Sequence, residues 1–410
     1  MVDEMLATTS TPSASKSARG NNNGVDKLSS LCDELLHHVM SFLPMLEVVR
    51  TSLLSPRWRN LWASTPFIYI DYQDFKDENR SCVDEDKLDK FGNNLLLLRD
   101  GAVSLDEARI FLAAAGSRMK SEARRSKWIR HAIEHKVRLL HVSGSLSSTF
   151  ASPAMFPSQH LKIIRLHSIF LSQGSFMPLN HECPLLEHLE LEDCECDVEE
   201  ISSRSLKVLR IIHCVIVYGL LISACNLIHL YILGPVCHSG VIGTRDLSSL
   251  VTASVNLLSE DFHFPTSKMV YGHRLLDGLS HATTLELHAP LHELAFERGL
   301  QTCSMFSNLT RLVLGDWCMA GDLYPLLRIL QRSSKLKDLN LKLNMVECSF
   351  CRDSESALLS SRGALSATES CPSLERIKIC CRKDDPRIDA LVSALRRIMN
   401  SDGKICIDHC

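Results

Sequence analysis

The sequence lacks the motifs by which many enzyme classes are recognised. It has no G-x-S-x-G nucleophile elbow, no P-loop and no glycine-rich dinucleotide motif, and these motifs position nucleophiles or phosphates. None of its 17 cysteines lies in a known cysteine-protease signature. We therefore expect a protein that is not an enzyme, with no catalytic residue and no cofactor.

An excess of charge of one sign is also missing. The 45 Lys and Arg residues nearly balance the 48 Asp and Glu residues, for a formal net charge of −3. Nucleic-acid-binding domains usually have a basic balance, so no nucleic-acid partner is expected. A helix predicted over residues 120–136 is rich in Lys and Arg. It could bind an anion, but a solvated outer face is favoured because no aromatic residues alternate with the basic ones.

Charged residues are absent from residues 211–244. A membrane-spanning helix needs about 20 apolar residues, so length alone permits one. Polar and turn-forming residues interrupt the stretch, including His213, Tyr218, Gly234 and Pro235. Two copies of the repeat described below also run through it, so we predict buried globular structure and no membrane partner.

Large apolar residues are few in the first 24 positions, and no apolar core of a secretory signal is present. Such a segment cannot offset its ordering entropy by burial, so a disordered tail is expected. In a protein that is not secreted the cysteines should remain reduced thiols, and most should pack as small apolar residues.

Three short helices are predicted directly after this tail. From Asp33 to Leu43 the apolar residues form one helical stripe, which Pro44 ends. A second helix follows from about Leu46 to Leu54. Ser55 and Pro56 then have the pattern of a helix start, and the third helix carries apolar residues on one face at Trp58, Leu61 and Trp62.

An internal repeat is the strongest signal in the chain. The template L-x-x-L-x-L accepts Leu, Ile or Val at its apolar positions, and the early copies recur at the spacing of roughly 20 to 29 residues that is typical of leucine-rich repeats. The copies are Val137-Leu140-Val142, Leu161-Ile164-Leu166, Leu186-Leu189-Leu191, Leu206-Leu209-Ile211, Leu227-Leu230-Ile232, Leu250-Ala253-Val255, Leu309-Leu312-Leu314, Leu336-Leu339-Leu341 and Leu374-Ile377-Ile379, with a partial copy at Leu285-Leu287.

Alternation within each copy predicts a short strand whose leucines point inward. One repeat cannot bury its own leucines, whereas stacked repeats bury one another's. We therefore predict an α/β protein in which a curved parallel sheet is backed by outer helices or loops. Cys194, Cys214 and Asn344 follow the last strand leucine by three residues, the position where such repeats often place Asn or Cys against backbone groups.

The N-terminal helices resemble the F-box of plant proteins. The resemblance rests on Asp26-Lys27-Leu28-Ser29-Ser30-Leu31-Cys32-Asp33-Glu34-Leu35-Leu36, on Ser41-Phe42-Leu43-Pro44 and on Thr51-Ser52-Leu53-Leu54-Ser55-Pro56-Arg57-Trp58-Arg59-Asn60-Leu61-Trp62. Two positions depart from the family pattern. Cys32 stands where the family usually has proline, and Pro56 where it usually has Lys or Arg. The first change removes a rigid residue from the edge that would meet the adaptor.

The C-terminal third is similar to the FBD-type ending of plant F-box and leucine-rich-repeat proteins. The matching segments are 309–318, 326–330, 336–341, 371–379 and 385–399. Together the resemblances predict a disordered tail over 1–24, an F-box over 25–66, a connecting region with a first irregular repeat over 67–136, leucine-rich repeats over 137–304, FBD-like C-terminal repeats over 305–400, and a tail over 401–410.

The resemblance implies the substrate-recognition subunit of an SCF-type cullin ubiquitin ligase. The F-box would dock a Skp-type adaptor, and through it cullin and RING subunits, in the nucleus or cytoplasm. The residues expected to face the adaptor are Leu31, Cys32, Leu35, Val39, Leu43, Leu53 and Trp58. Those expected to bind an unidentified target on the concave sheet face are His141, Arg165, His167, Glu190, Glu192, Arg210, Tyr231, Asn340 and Lys342.

Two alternative functions stay open, and a zinc site is also weighed. The chain could act as an interaction module outside ubiquitination, or as a small-molecule receptor built on the same repeats. Zinc could bind Cys348 and Cys351 together with Cys380 and Cys381, or with the Cys406, His409 and Cys410 group. A structural zinc site needs four converging ligands, and no second C-x-x-C occurs at the usual spacing, so no metal is expected.

Overall fold

The computed structural model describes residues 27–76, 83–112, 119–144, 157–171, 179–237, 242–257, 274–289, 296–343, 371–383, 385–399 and 403–409. The chain divides into two compact units, Met1–Phe170 and Leu171–Cys410. The predicted cysteines Cys348, Cys351 and Cys410 and the ladder residue Asn344 lie outside the described residues, as does the predicted tail over 1–24.

The first unit combines short helices with a parallel sheet. Its helices are α1 (Asp33–Met40), α2 (Met45–Arg50), α3 (Glu85–Leu98) and α4 (Met119–Glu134), with 3-10 segments at Thr51–Leu53, Leu61–Ser64 and Tyr72–Phe75. Its strands are β1 (Phe67–Asp71), β2 (Glu107–Phe111), β3 (Leu139–Ser143) and β4 (Ile163–His167). The four strands pair in this order, and every pair is parallel.

The first two predicted N-terminal helices form, but α1 ends at Met40 and α2 at Arg50, where a 3-10 segment continues to Leu53. The third predicted helix does not form. Ser55 and Pro56 are followed by turns rather than an α-helix, and a 3-10 segment begins at Leu61. Trp58 and Trp62 are nevertheless both 3% exposed. Burial of these indole rings therefore fixes the segment's position without the regular hydrogen bonding of a helix.

Helices α3 and α4 pack through a close contact. A Cβ atom added to Gly92 of α3 would lie 2.5 Å from Cζ2 of Trp128 on α4, and Nε1 of Trp128 donates to Oδ1 of Asn93 at 3.0 Å. The helix predicted over 120–136 forms as α4. For the charged segment 74–90, the density of Asp, Glu and Lys residues predicts a loop. That prediction was wrong, because α3 begins at Glu85 and buries one apolar face.

The second unit is built mainly of strands. Its long strands are β6 (His188–Glu192), β9 (Val208–Ile212), β12 (His229–Leu233), β15 (Thr252–Asn256), β16 (Thr284–His288), β17 (Arg311–Gly315), β18 (Asp338–Lys342), β19 (Arg376–Cys381) and β20 (Lys404–His409). They pair in this order, all parallel and in continuous register. The chain order of the repeats is therefore also their order in the sheet.

Shorter elements connect the long strands. The strand β5 (Phe170–Leu171) lies at the boundary of the units, and β7 (Glu195–Cys196), β10 (Val215–Ile216) and β13 (Val236–Cys237) pair in one small parallel sheet. The strands β8 (Glu200–Ser202), β11 (Leu220–Ser223) and β14 (Ile242–Arg245) form another. The helices are α5 (Leu179–Glu182), α6 (Arg274–Leu279), α7 (Glu297–Thr302), α8 (Ala320–Gln331) and α9 (Ile388–Ile398), and a 3-10 segment spans Asp316–Met319.

The apolar positions of every predicted repeat copy are buried, each at 2% exposure or less. This includes the weak copy centred on Ala253 and the partial copy at Leu285 and Leu287. The charge-free stretch 211–244 forms strands of this sheet and of the two small sheets. Among the described residues, no helix combines the length and the apolar character needed to cross a bilayer.

A left-handed residue follows several strands at the same repeat position. Ser168, Asp193 and His213 have φ values of 55°, 51° and 50°, and Gly234 has 54°. The N–H groups of the last three donate to the carbonyl at the end of the next long strand, at 2.7 to 2.9 Å. Positive φ with this hydrogen bond turns the chain away from the sheet at one fixed point of each copy.

The predicted ladder position is also occupied as expected. Sγ of Cys214 lies 3.4 Å from the carbonyl oxygen of Leu191 in the preceding copy. Trp317 occupies the equivalent position of its own copy, and its Nε1–H donates to Leu287 O at 2.9 Å. Side chains of different chemistry therefore make the same contact with the preceding strand.

The C-terminal segment differs from the prediction. Residues 401–410 were expected to be a tail, but Lys404–His409 form β20, which pairs with β19 over six residues. Ile405 and Ile407 alternate with polar residues in the period-two pattern of a half-buried strand. The alternation was present in the sequence but is short.

Candidate functional site

Helix α1 has two apolar faces. Leu36 and Met40 are fully buried against the F-box core. Leu35 and Val39 of the same helix are 50% and 41% exposed, and Phe42, in the turn that follows the helix, is 75% exposed. A solvated helix face is normally polar, so an exposed stripe of three large apolar side chains at helical spacing indicates a surface that is covered by a partner.

Other large apolar residues of this N-terminal module are also exposed. Leu28, Leu53 and Leu54 are 47%, 66% and 65% exposed. We call Leu28, Leu35, Val39, Phe42, Leu53 and Leu54 the apolar F-box surface. Of the predicted adaptor residues, Leu35, Val39 and Leu53 belong to it, Cys32 is exposed, and Leu31 and Leu43 are partly buried.

Trp58 was predicted to face the adaptor, but it lies in the interior. It is 3% exposed, and its Nε1–H donates to Oγ of Ser29 at 2.9 Å. A ring that fills the core and has its one donor satisfied stabilises the F-box from within. Sequence reasoning did not assign Leu28, Phe42 or Leu54 to this surface, although Phe42 was part of the predicted helical stripe.

The unusual Cys32 keeps the backbone that proline would impose. Its φ is −68° and its ψ is 161° at the N-cap of α1, and proline fixes φ near −65°. The guanidinium of Arg57 pairs with the carboxylate of Asp33 in the first turn and also donates to Leu31 O at 3.5 Å. Cysteine in place of the family's proline therefore leaves the folded conformation of this edge unchanged. The unfolded chain is more flexible here than it would be with proline.

The exposed sheet face of the first unit forms a continuous polar row. Strand pairing places Tyr69, Arg109, His141 and Arg165 side by side. The guanidinium of Arg109 lies 4.7 Å from the centroid of the Tyr69 ring. Burial, and then the nearby Glu107 carboxylate, raise the pKa of Tyr69 to about 12. The phenol hydroxyl donates to Oε2 of Glu107 at 3.1 Å.

The predicted target residues His141 and His167 make further contacts in the first unit. His141 packs edge-on against the ring of Phe111, with 4.8 Å between centroids. Nδ1 of His167 lies 3.0 Å from Oγ of Ser143 on the adjacent strand. The structure therefore brings together the three predicted residues of this unit, His141, Arg165 and His167.

In the second unit, the predicted residues of β6, β9 and β12 form a patch. Nε of Arg210 lies 3.5 Å from Oε1 of Glu190, and its guanidinium lies 5.3 Å from the centroid of the Tyr231 ring. Glu192 is partly buried at the end of the same face. We call Glu190, Glu192, Arg210 and Tyr231 the β6–β12 patch, in which one cation lies between a carboxylate and an aromatic ring.

Asn340 and Lys342 lie apart from this patch, on β18. Nζ of Lys342 contacts Oε1 of Glu286 at 2.7 Å, and Nε2 of His288 contacts the same oxygen at 2.9 Å. The hydrogen bond from His288, together with the ammonium of Lys342, lowers the pKa of Glu286 to about 2. Sequence reasoning missed Glu286, although it lies between the two leucines of the partial repeat.

Comparison with known proteins also assigns an F-box to the N-terminal helices. The F-box domain family matches residues 28–69. The MEIOTIC F-BOX protein MOF of Oryza sativa subsp. japonica is 28% identical over 412 residues, which cover 92% of this chain and 85% of that protein. A putative FBD-associated F-box protein of Arabidopsis thaliana is 32% identical over 187 residues, 42% of this chain and 40% of the relative.

A second Arabidopsis thaliana relative, a putative F-box/FBD/LRR-repeat protein, is 26% identical over 267 residues, 59% of this chain and 54% of the relative. The aligned regions therefore span about half of these two Arabidopsis proteins. The resemblance stated from the F-box residues and the C-terminal repeats is confirmed. Residues 28–69 therefore match the F-box domain family, and the chain as a whole is similar to plant F-box proteins, among them leucine-rich-repeat proteins with an FBD region.

Proposed function

We propose that this protein is the substrate-recognition subunit of an SCF-type cullin ubiquitin ligase. The F-box would bind a Skp-type adaptor, and through it cullin and RING subunits, while the repeats hold a target protein. Ubiquitin transfer would take place on the other subunits. This chain would contribute proximity, because holding the target beside the charged enzyme makes the transfer effectively intramolecular.

The apolar F-box surface is the observation that carries the proposal. It collects six large apolar side chains, each at least 41% exposed, within the segment that matches the F-box family. At roughly 25 cal/mol per Å² of buried apolar area, covering such a surface would stabilise a complex substantially. The nucleus or cytoplasm stays the predicted compartment.

A pull-down with a purified Skp-type adaptor tests this step. We expect the full chain to bind, and Leu35→Asp or Phe42→Asp to reduce the affinity at least tenfold, because either change places a carboxylate in the buried centre of the interface. Leu97→Asp is the matched control, since Leu97 is 78% exposed on α3 outside the F-box. Equal binding by the F-box variants and the control would contradict the proposal.

The target would bind the exposed sheet face, which we propose belongs to a curved solenoid. The β6–β12 patch supports this site, because it offers a carboxylate, a guanidinium and an aromatic ring within a few ångströms. Aromatic and arginine side chains dominate the energetics of protein interfaces. These side chains project from the sheet, so they can be truncated without opening a cavity in the core.

Proximity labelling in cells with the proteasome blocked would identify the target. The intact chain should label it, and the combined variant Glu190→Ala, Arg210→Ala and Tyr231→Ala should not, while still binding the adaptor. Unchanged labelling would exclude this patch as the binding site. Adaptor binding without any increase of a labelled protein on proteasome inhibition would instead favour an interaction module outside ubiquitination.

A further inference from the structure

Among the described residues, the last strand of the long sheet, β20, is paired on one side only. Strand β20 pairs with β19 on one side, and none of its residues is buried, in contrast to the other long strands of the second unit. Ile407 is 39% exposed although the equivalent Ile379 of β19 is fully buried. The inward-facing row of the sheet therefore continues into side chains that remain partly solvated.

Backbone groups of β20 are available for pairing at this edge. The N–H of Lys404 donates to Glu375 O on the β19 side at 2.9 Å. Because successive residues of a strand direct their N–H and C=O groups to opposite sides, Cys406 and Asp408 also point toward β19. The N–H and C=O groups of Ile405, Ile407 and His409 point outward, as in strands that accept a further strand.

The sequence of β20 is complementary to itself in the antiparallel direction. If a second copy pairs with Cys406 opposite Cys406, then Lys404 lies opposite Asp408 and Ile405 lies opposite Ile407, twice each. The outward-pointing Ile405 and Ile407 would form the hydrogen-bonded pairs. The other residues would form the non-hydrogen-bonded pairs, in which opposing side chains are closer.

The charges on the exposed face fit this arrangement. Nζ of Lys378 on β19 lies 2.7 Å from Oδ2 of Asp408, so the carboxylate is held at the edge of the sheet. Lys404 is exposed and has no ion-pair partner among the described residues. In the pair, each Lys404 would approach the Asp408 of the other copy, and opposite charges in directly opposed positions stabilise antiparallel strands.

We propose that β20 is a self-association edge, through which two copies of this chain join their long sheets antiparallel about a two-fold axis at Cys406. The partner is a second copy because one strand supplies both halves of each complementary pair, as an isologous two-fold contact requires. Contact through one strand buries less than the roughly 1,200 Å² of a stable interface, so the association is weak and concentration-dependent.

Charge reversal tests the register directly. In sedimentation velocity under reducing conditions, we expect the full chain to show concentration-dependent association, and Lys404→Asp or Asp408→Lys alone to weaken it about tenfold or more. An equimolar mixture of the two variants should associate again, since each copy then opposes the charges of the other. Arg311→Glu, on the same face of β17, is the matched control and should not change the association.

Two further measurements separate pairing from misfolding. Ile407→Pro removes an N–H that points away from β19, a position where an edge strand tolerates proline, so it should abolish association while the melting temperature stays near that of the unchanged chain. A short bis-maleimide should link Cys406 to Cys406 of the second copy, as identified by peptide mass spectrometry. A chain that remains monomeric at all concentrations would overturn the proposal, as would a mixture that associates no better than either variant alone.

Discussion

Nζ of Lys342 lies 2.7 Å from Oε1 of Glu286, although 56 residues separate them in the chain. The two residues are on β18 and β16, with β17 between them, so the ion pair crosses a whole strand. His288 contacts the same carboxylate oxygen. The continuous register of three repeats is what brings these side chains together.

Glu286 should make the second unit sensitive to acid. Its folded pKa of about 2 lies below the ordinary value of 4.5, so its contribution is complete above about pH 4.5 and is lost as the pH falls toward 2. We expect Glu286→Gln to lower the free energy of unfolding at pH 7 by on the order of 2 kcal/mol and to flatten its pH dependence in that window.

Urea unfolding from pH 7 to pH 2 measures the Glu286 effect. Glu375→Gln is the control, because Glu375 forms a half-exposed surface pair with Lys337 at 3.5 Å and such pairs contribute less than about 1 kcal/mol. If the free energy of unfolding falls equally with pH in Glu286→Gln and in the unchanged chain, the contacts of the Glu286 carboxylate with Lys342 and His288 do not cause the acid loss.

His131 should make the first unit lose stability at a milder pH. Burial, followed by the nearby His135 and Arg99, lowers the pKa of His131 to about 4, and its ring stacks on His135 with 3.9 Å between centroids. Between pH 6.5 and 4 the unfolded chain binds a proton that the folded chain does not, so the free energy of unfolding falls as the pH falls. We expect His131→Phe to remove about 2 kcal/mol of this loss.

Melting temperatures at pH 7.5 and pH 5 compare the two proteins. His131→Phe keeps an aromatic ring against His135, so the values at pH 7.5 should be similar. The difference between the two pH values should be smaller in the variant. An equal difference in both proteins would mean that another group causes the acid loss.

Gly92→Ala should destabilise the first unit, although alanine has a higher helix propensity than glycine. Alanine is favoured over glycine in a helix by about 1 kcal/mol, but the added Cβ would lie 2.5 Å from the buried Trp128 ring. Overpacking of this kind costs about 1–3 kcal/mol, so we expect a net loss in chemical denaturation. Gly101→Ala is the control, because its added Cβ would meet its nearest neighbour at 3.7 Å. A stabilised Gly92→Ala variant would show that α3 and α4 can separate.

Thiol labelling should divide the described cysteines by burial. Cys32 and Cys406 are exposed, whereas burial raises the pKa of Cys237 to about 12 and also raises the pKa of Cys318. The thiolate is the reactive form, so iodoacetamide at pH 8 should modify the first two at least a hundredfold faster, as measured by peptide mass spectrometry. In urea all four should react at similar rates. Rapid native labelling of Cys318 would indicate local opening of the segment after β17.

The repeat sheet could be predicted from the sequence because its signal is periodic and recurs. Even the weak copy around Ala253 has the spacing of its neighbours, and burial of small residues is tolerated where adjacent strands supply leucines. Helix α3 was missed because its charged first turn, Glu85 and Asp86, was taken for loop. The pattern of Leu88, Phe91 and Leu95 at helical spacing was present and should have decided the assignment.

The candidate site was less predictable than the fold. Apolar residues of a small helical module can face its core or a partner, and composition does not distinguish Trp58, which is buried, from Phe42, which is exposed. The other surfaces depend on strand register, because register determines which side chains of neighbouring strands lie side by side. The contact of Lys342 with Glu286 depends on which strands are neighbours, and the insertions between the later repeats obscure that in the sequence.

Pairing of each long strand only with its neighbours in the chain has a consequence for how this sheet can change. In the second unit, a duplicated or deleted copy would alter one junction and leave the hydrogen bonds of all other copies intact. The length of the exposed face, and the order of the charged and aromatic side chains on it, can therefore evolve by gain or loss of whole modules. A related chain could acquire a new binding specificity in this way while every intermediate sequence still folds.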